Sequence, residues 1–302
     1  MRCVLAKSAA KTKLDQGITA LIEVAPLLVS EDMEGIHRAR VASRRLRAVI
    51  VAHSSVLGRR EGRRLGKAVR GITSGLGVAR ELDVTIQLLE SRRMGLSGAE
   101  RYACTHTVTR LRELRRNERD GIAAIAALIA GDDFRRVADE ALSSVRRLKG
   151  CYRSETRAVL KDRRRNLWRA HATWLESESE ASLHEVRIAF KKFRYGCEQY
   201  ADLYGKRMKQ LIKSLRLVQD DLGIWNDFRV ARGYVESLAE GADPMAASGI
   251  APLAELLDKE AAVRLGAYRA QAVDFFSEDD RNRVRRIIAK IKVPCCPKKG
   301  KG

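Results

Sequence analysis

Two segments of the chain lie over each other without a gap: IHRARVASRRLR (36–47) on LHEVRIAFKKFR (183–194), 147 residues apart. His37 falls on His184, Arg40 on Arg187, Arg44 on Lys191, Arg45 on Lys192 and Arg47 on Arg194. At an offset of 146, Arg60, Arg63, Lys67 and Arg70 fall on Lys206, Lys209, Lys213 and Arg216, and LGV (76–78) falls on LGI (222–224). With 59 basic residues in 302, four preset basic positions meet basic partners by chance with a probability of roughly 0.002. A histidine pair drawn from only five histidines makes coincidence a still poorer account. The chain reads as two copies of one unit, a first repeat over 1–149, a second over 150–294 and a basic tail over 295–302.

The unit is helical. Proline occurs only at positions 26, 244, 252, 294 and 297, outside most of the amphipathic stretches, which Leu, Ala, Arg and Glu dominate; that is the composition of helices. Apolar residues recur every three or four positions, as at Ile18, Leu21, Ile22 and Ala25 or Leu211, Ile212, Leu215, Leu217, Val218 and Leu222, the period of a helix with one buried face. The expectation is an all-α, internally duplicated fold. Helices are placed over 8–29, 33–56, 60–91, 98–130, 133–148, 153–176, 182–203, 206–239, 251–275 and 279–291. Gly58, MGLSG (94–98), Gly131, Lys149–Gly150, SESEAS (177–182) and GADPMAASG (241–249) supply the breaks.

At about 100° per residue, His37, Arg40, Arg44 and Arg47 fall within an arc of roughly 80° on one side of their helix. Ile36, Ala39, Ala42, Leu46, Val49 and Ile50 occupy a separate apolar face. The second copy repeats both, with His184, Arg187, Lys191 and Arg194 on the stripe and Val186, Ala189, Phe190, Phe193 and Cys197 on the core face. Arg45 and Lys192 lie off the stripe and are weaker candidates. The next helix of each copy adds Arg63, Lys67 and Arg70, or Lys209, Lys213 and Arg216, at matching phase.

A charge stripe is most often only solvated surface, but a solvated stripe normally interleaves acids four residues away to gain pairing. None stands four residues from Arg40, Arg44 or Lys191. Like charges so close repel, and an anion would offset that cost. Of the 59 basic residues 42 are Arg, whose planar guanidinium grips phosphate oxygens bidentately and stays charged in any environment. The two histidines add donors that become cationic near neutral pH, so affinity for a polyanion is expected to strengthen from about pH 8 to 6. The ligand implied is dense in phosphate.

The signatures HRARVASRRLR and HEVRIAFKKFR resemble the two signature helices of the conserved histidine alpha-helical (CHAD) domain family, with the duplication running from about residue 10 to 291. The resemblance implies two four-helix-type bundles related by a pseudo-twofold axis, both repeats forming one domain, and binding of inorganic polyphosphate in a basic groove where the halves meet. By position, it implies that His37, Arg40, Arg44, Arg47, His184, Arg187, Lys191 and Arg194 line that groove, with Lys67, Arg70, Lys213 and Arg216 flanking. The family often carries an Arg-Asp pair after the LG turn. Here the stretches are ARELDV (79–84) and IWNDFR (224–229), with Glu81 and Asn226 departing from it, so Arg80, Glu81 and Asp227 are read as structural.

Other classes find less support. HEVRI (184–188) lacks the second His of a zinc-protease motif, and GKA (66–68) lacks the glycine spacing and hydroxyl of a P-loop. ESESE (176–180) has the alternating acids of the triphosphate-cleaving barrel often joined to this family, but no Lys, and reads as a solvated turn. No carboxylate cluster is apparent to hold Mg²⁺ beside phosphates, so neither catalytic residues, nor a metal, nor a cofactor is expected. Six scattered cysteines without a CxxC pair argue against structural zinc, and VPCCPKKGKG (293–302) reads as a mobile reduced tail without chemistry. The longest apolar run, IAAIAALIA (122–130), has nine residues where a membrane span needs about 20. Lys7, Lys11 and Lys13 stand where a secretory signal would be apolar, so a cytoplasmic location is expected, in contact with polyphosphate granules. Nucleic acid is the serious rival, because a net charge of +21 attracts it non-specifically. Yet aromatics are 5% and the stripes hold none but nearby Tyr195, which leaves few platforms for base stacking. A scaffold for an acidic protein is a third class, and a polyphosphate-metabolising enzyme is a candidate partner.

Overall fold

The computed structural model describes residues 4–30, 33–146 and 152–291. Cys3, Cys151, the break and repeat boundary at Lys149–Gly150, and the 295–302 tail lie outside the described residues. Among those described there are twelve helices and no strand. In the first half these are α1 (Val4–Val29), α2 (Met33–Ala52), α3 (Arg59–Gly75), α4 (Gly77–Arg93), α5 (Gly98–Asn117), α6 (Arg119–Ala130) and α7 (Asp132–Ser143). In the second they are α8 (Tyr152–Ser177), α9 (Glu180–Tyr204), α10 (Lys206–Ser237), α11 (Pro244–Phe275) and α12 (Glu278–Ala289).

The helices depart from those the sequence suggested in shifted ends, with α1 starting at Val4 and α2 and α7 ending at Ala52 and Ser143, and in three larger ways. The stretch 60–91 is two helices that abut at Leu76, where Gly75 and Gly77 weaken the helix; at the equivalent Leu222, α10 runs straight through. The stretch 98–130 is likewise broken at Glu118. Helix α11 starts at Pro244, inside the segment read as a loop. Asp243 caps it, its Oδ1 accepting from the amides of Met245 and Ala246 at 3.0 Å each, and Pro244 takes the first position, where a missing N–H is harmless. Pro252 is carried inside α11. Packing of this 32-residue helix on α5 and α10 outweighs a local cost of about 3 kcal/mol.

The apolar faces read from the sequence point inward. Ile36, Ala39 and Leu46 on α2, and Val186, Phe190, Phe193 and Cys197 on α9, are fully buried, and they join one hydrophobic cluster that spans both halves. Each large side chain so buried contributes about 1.5–3 kcal/mol. Tyr200 of α9 donates its hydroxyl to the Ala52 carbonyl at the end of α2, at 2.6 Å. Across the two halves α2 packs on α9, α4 on α10 and α5 on α11. The basic stripe, set roughly 130° from the core face, therefore turns toward the α2–α9 junction.

The α5–α11 contact is the tightest backbone approach of the two halves' helices at a glycine. A Cβ on Gly249 would stand 2.0 Å from the Ala99 carbonyl oxygen, an atom that cannot step aside without moving α5. Gly249→Ala is expected to cost about 2–3 kcal/mol, a fall in Tm of roughly 5–10 °C by calorimetry. An unchanged Tm would mean that α5 and α11 sit further apart in solution.

Candidate functional site

Four helices, two from each half, enclose a cavity of about 420 Å³. Helix α2 supplies His37, Arg40 and Arg44; α4 supplies Gly77, Arg80, Glu81, Val84 and Thr85. From the other half α9 supplies His184, Arg187 and Lys191, and α10 supplies Asn226, Asp227, Arg229 and Val230. Five arginines, Lys191 and two histidines thus face two carboxylates.

Local structure holds these groups in place. Arg40 reaches past Gly77, where an added Cβ would lie 3.4 Å from its Nη1. That Nη1 donates to the Thr73 carbonyl at 2.8 Å, in the last turn of α3, where a cation also meets the negative end of the helix dipole. The Thr73 hydroxyl is fixed in turn between Ser43 Oγ and the Val69 carbonyl. Arg44 Nε donates to the Arg40 carbonyl one turn back, at 3.2 Å. Of the two acids, Glu81 is engaged by the hydroxyl of Tyr234, which donates to it at 3.1 Å.

The cationic side is under-satisfied. His184 Nδ1, Arg187 Nε and Arg229 Nε are buried and make no hydrogen bond, although Arg229 Nη1 pairs with Glu180 at 3.2 Å. A buried donor left without an acceptor costs about 1–3 kcal/mol. Burial and crowding by like charges act together on the titrating groups. Lys191 is pushed down to about 7, first by burial and then by Arg187 and Arg44, against the opposing pull of Asp227. Arg187 and Arg40 are also lowered, chiefly by burial, with Arg44 adding to both. His37 is held below the ordinary histidine value by burial and then by Arg80. Asp227 is raised, because its burial outweighs the attraction of Arg187 and Lys191. Every one of these shifts favours less charge, as expected where cations from two helices are pressed together in a partly dry space. His53 and His171, by contrast, are core residues held neutral by burial, each lowered to about 4.

The residues read from the sequence divide by position. His37, Arg40, Arg44, His184, Arg187 and Lys191 meet in the cavity. Arg45 lies in an adjoining groove that shares His37 and runs between α1 and α2. Arg47 and Lys192 lie in another groove, between α2, α8 and α9, that shares Arg44 and Lys191 with the cavity. Arg194 is drawn off the stripe: its Nη1 and Nε donate to Glu198, one turn ahead, and to Gln219, at 2.7 and 2.8 Å. Arg216 binds the same Glu198 oxygen at 2.9 Å. Arg63 borders a small recess beside Arg59, and Lys67, Arg70, Lys209 and Lys213 are exposed and not among the residues lining the cavity.

Arg80, Glu81 and Asp227, read as structural, instead line the cavity. Arg229 and Asn226 join them without having been singled out. The signal was the 146-residue offset itself, which carries Arg80 and Glu81 onto Asn226 and Asp227; it marked the equivalence but not the side on which these residues lie.

Fold and site together define an all-helical protein whose two halves close around a shared cationic cavity. The CHAD domain model matches residues 13–236, which include all four helices lining the cavity; the chain belongs to the CHAD domain family. Among solved structures, the CHAD domain from the plant Ricinus communis superposes with a TM-score of 0.67 at 22% identity, covering 88% of this chain and 90% of that one. PptA from Streptomyces chartreusis superposes with a TM-score of 0.68 at 17% identity, covering 90% and 99%. At these identities the likeness carries the fold. No curated protein matches by sequence. Among the described residues no helix is long and apolar enough to cross a membrane.

Proposed function

We propose that the chain binds inorganic polyphosphate without transforming it, in the cavity between its halves. The observation that carries this is the convergence of His37, Arg40 and Arg44 with His184, Arg187 and Lys191 on one half-open cavity, with buried N–H donors there that no protein atom satisfies. A chain of phosphates supplies closely spaced negative charge and abundant acceptors, and so offsets repulsion and unmet donors together. From the cavity the polymer continues over Arg44 and Lys191 into the groove lined by Arg47 and Lys192, where basic residues again outnumber Asp162 and Glu185. The opposite groove, with Glu23, Glu34 and Glu198 beside Lys13, Arg38 and Arg45, is balanced in charge and attracts it less.

The nucleic-acid alternative is weaker on the same geometry, since no Phe, Tyr or Trp lines the cavity and bases would find no stacking platform. The functional setting that follows is cytoplasmic, at polyphosphate-rich bodies, with a polyphosphate-metabolising enzyme as the candidate partner. Labelled long-chain polyphosphate competed with single-stranded RNA of equal charge is expected to stay bound; displacement by RNA would transfer the site to nucleic acid. With five arginines and a Lys191 that the polyanion protonates in the cavity, log affinity should fall against log salt with a slope of roughly −4, using the single-strand coefficient. A slope near −1 would show that most of these cations make no contact.

A further inference from the structure

A second cationic pocket lies where α12 packs on α8. Arg153, Arg157, Lys161, Arg164 and Trp168 follow one another at intervals of three or four, so they share one face of α8. The first two are spent on structure: Arg153 donates to the Ile291 carbonyl and Arg157 to the Ala289 carbonyl, closing the C-terminal end of α12 where cations are favoured. Beyond them the face opens into a pocket of about 600 Å³ lined by Arg157, Lys161, Arg164, Arg165, Arg285, Ile288 and Ala289, with no carboxylate in its lining.

Arg164 sets this pocket apart from a solvated charge run. It is only 5% exposed, its Nη1 makes no hydrogen bond, and its guanidinium carbon lies 5.5 Å from the Trp168 ring centre. No carboxylate pairs with it among the described residues, while burial and then Arg285, Arg281 and Arg165 press its protonated form. Arg165 has an exposed partner, Asp162, at 3.7 Å, so the unanswered charge is that of Lys161, Arg164 and Arg285. A buried guanidinium without a counter-ion costs several kcal/mol, and a bound anion with acceptors on several sides is the group that relieves it.

We infer that the α8–α12 pocket is a second anion site, separate from the cavity between the halves, that takes a compact phosphate group on Lys161, Arg164 and Arg285. Two sources share that chemistry, a free small phosphate and the end of a polyphosphate chain.

The test is calorimetric titration of the whole chain, with pyrophosphate and with tripolyphosphate in parallel. Three proteins are compared: wild type, a Lys161→Gln/Arg285→Gln variant altered only at exposed positions, and an Arg44→Gln/Arg187→Gln cavity variant. If free phosphate is the source, pyrophosphate binding survives the cavity substitutions and weakens at least tenfold in the Lys161/Arg285 variant. If a chain end is the source, tripolyphosphate binding weakens at least tenfold in both variants. Pyrophosphate and tripolyphosphate titrations of the Lys161/Arg285 variant that both match wild type overturn the inference, whatever the cavity variant does. Arg164→Met supplies an independent readout in the Arg44→Gln/Arg187→Gln background, where the cavity between the halves is disabled: with the buried charge removed, Tm in phosphate-free buffer should stay level or rise, and added pyrophosphate should stabilise the parent but not the protein that also carries Arg164→Met. Equal stabilisation of both would also contradict the site.

Discussion

Replacing Arg44 and Arg187 together by Gln is expected to weaken polyphosphate binding by at least a hundredfold. The two guanidinium groups come from opposite halves and line the same cavity, and Arg44 weakens the hold of Arg187 on its proton across the α2–α9 junction. Hydrogen bonds to charged groups are worth about 1.5–3 kcal/mol each, so losing one on each side removes roughly 3–6 kcal/mol, two to four powers of ten. The fold should not suffer, because Arg44 makes only a bond to its own helix and Arg187 leaves its Nε unpartnered. Relief of their repulsion should hold Tm level or raise it. The matching control is Lys67→Gln/Arg70→Gln, two exposed residues of α3 outside the cavity lining. That variant should lose no more than about threefold, the scale of a surface charge screened by salt. Equal losses in the two variants would mean that binding is spread over the basic surface.

Lys191→Met should raise stability and lower affinity at once. In the folded protein Lys191 titrates at about 7, whereas in the unfolded chain it returns to the ordinary lysine value of about 10.4. Between those two values the folded state holds fewer protons than the unfolded state, so stability from this group rises with pH from about 7 upward and is level below it. Met has similar bulk and no charge, so at pH 7 the variant should gain about 1 kcal/mol or more, a rise in Tm of roughly 2–4 °C, and lose the pH-dependent rise. Binding runs the other way. A polyanion restores the proton to Lys191, so wild-type affinity should fall roughly tenfold between pH 7.5 and 8.5 through this group, and the variant should be flat over that interval. Arg187, Arg44, Asp227 and Arg194 are the charged groups that act on it. A Tm that drops in Lys191→Met, or a pH response that survives it, would remove Lys191 from the site.

Much of this arrangement was legible in the chain because two patterns coincide in the same dodecamer. The apolar period of Ile36, Ala39, Leu46 and Val49 fixes which side of α2 is buried, and the stripe period of His37, Arg40 and Arg44 then has a determined direction relative to it. What the period does not carry is the fate of each side chain at the end of its reach. Arg194 continues the stripe in register, yet Glu198 stands one turn further along the same helix and Gln219 faces it from α10, so its guanidinium is diverted. Arg80 and Asp227 were passed over because each belongs to the helix after the signature, and their direction depends on how α4 and α10 cross the junction. The helix break at Leu76 escaped for a related reason: SGLG (74–77) in the first copy and DDLG (220–223) in the second both keep the apolar period, and the first copy carries the additional Gly75 where the second has Asp221. Lys191 joins the histidines as a source of pH response, and it escaped because depression of a lysine requires burial among other cations, which spacing along one helix does not reveal.

A crystal structure of the chain with a short polyphosphate bound is the most direct measurement. Phosphates lying between α2 and α9, within hydrogen-bond distance of Arg44, Arg187 and Lys191 together, are the result expected. Phosphates seated instead along the outer face of α3, on Lys67 and Arg70, with the cavity between the halves holding none, would contradict the account.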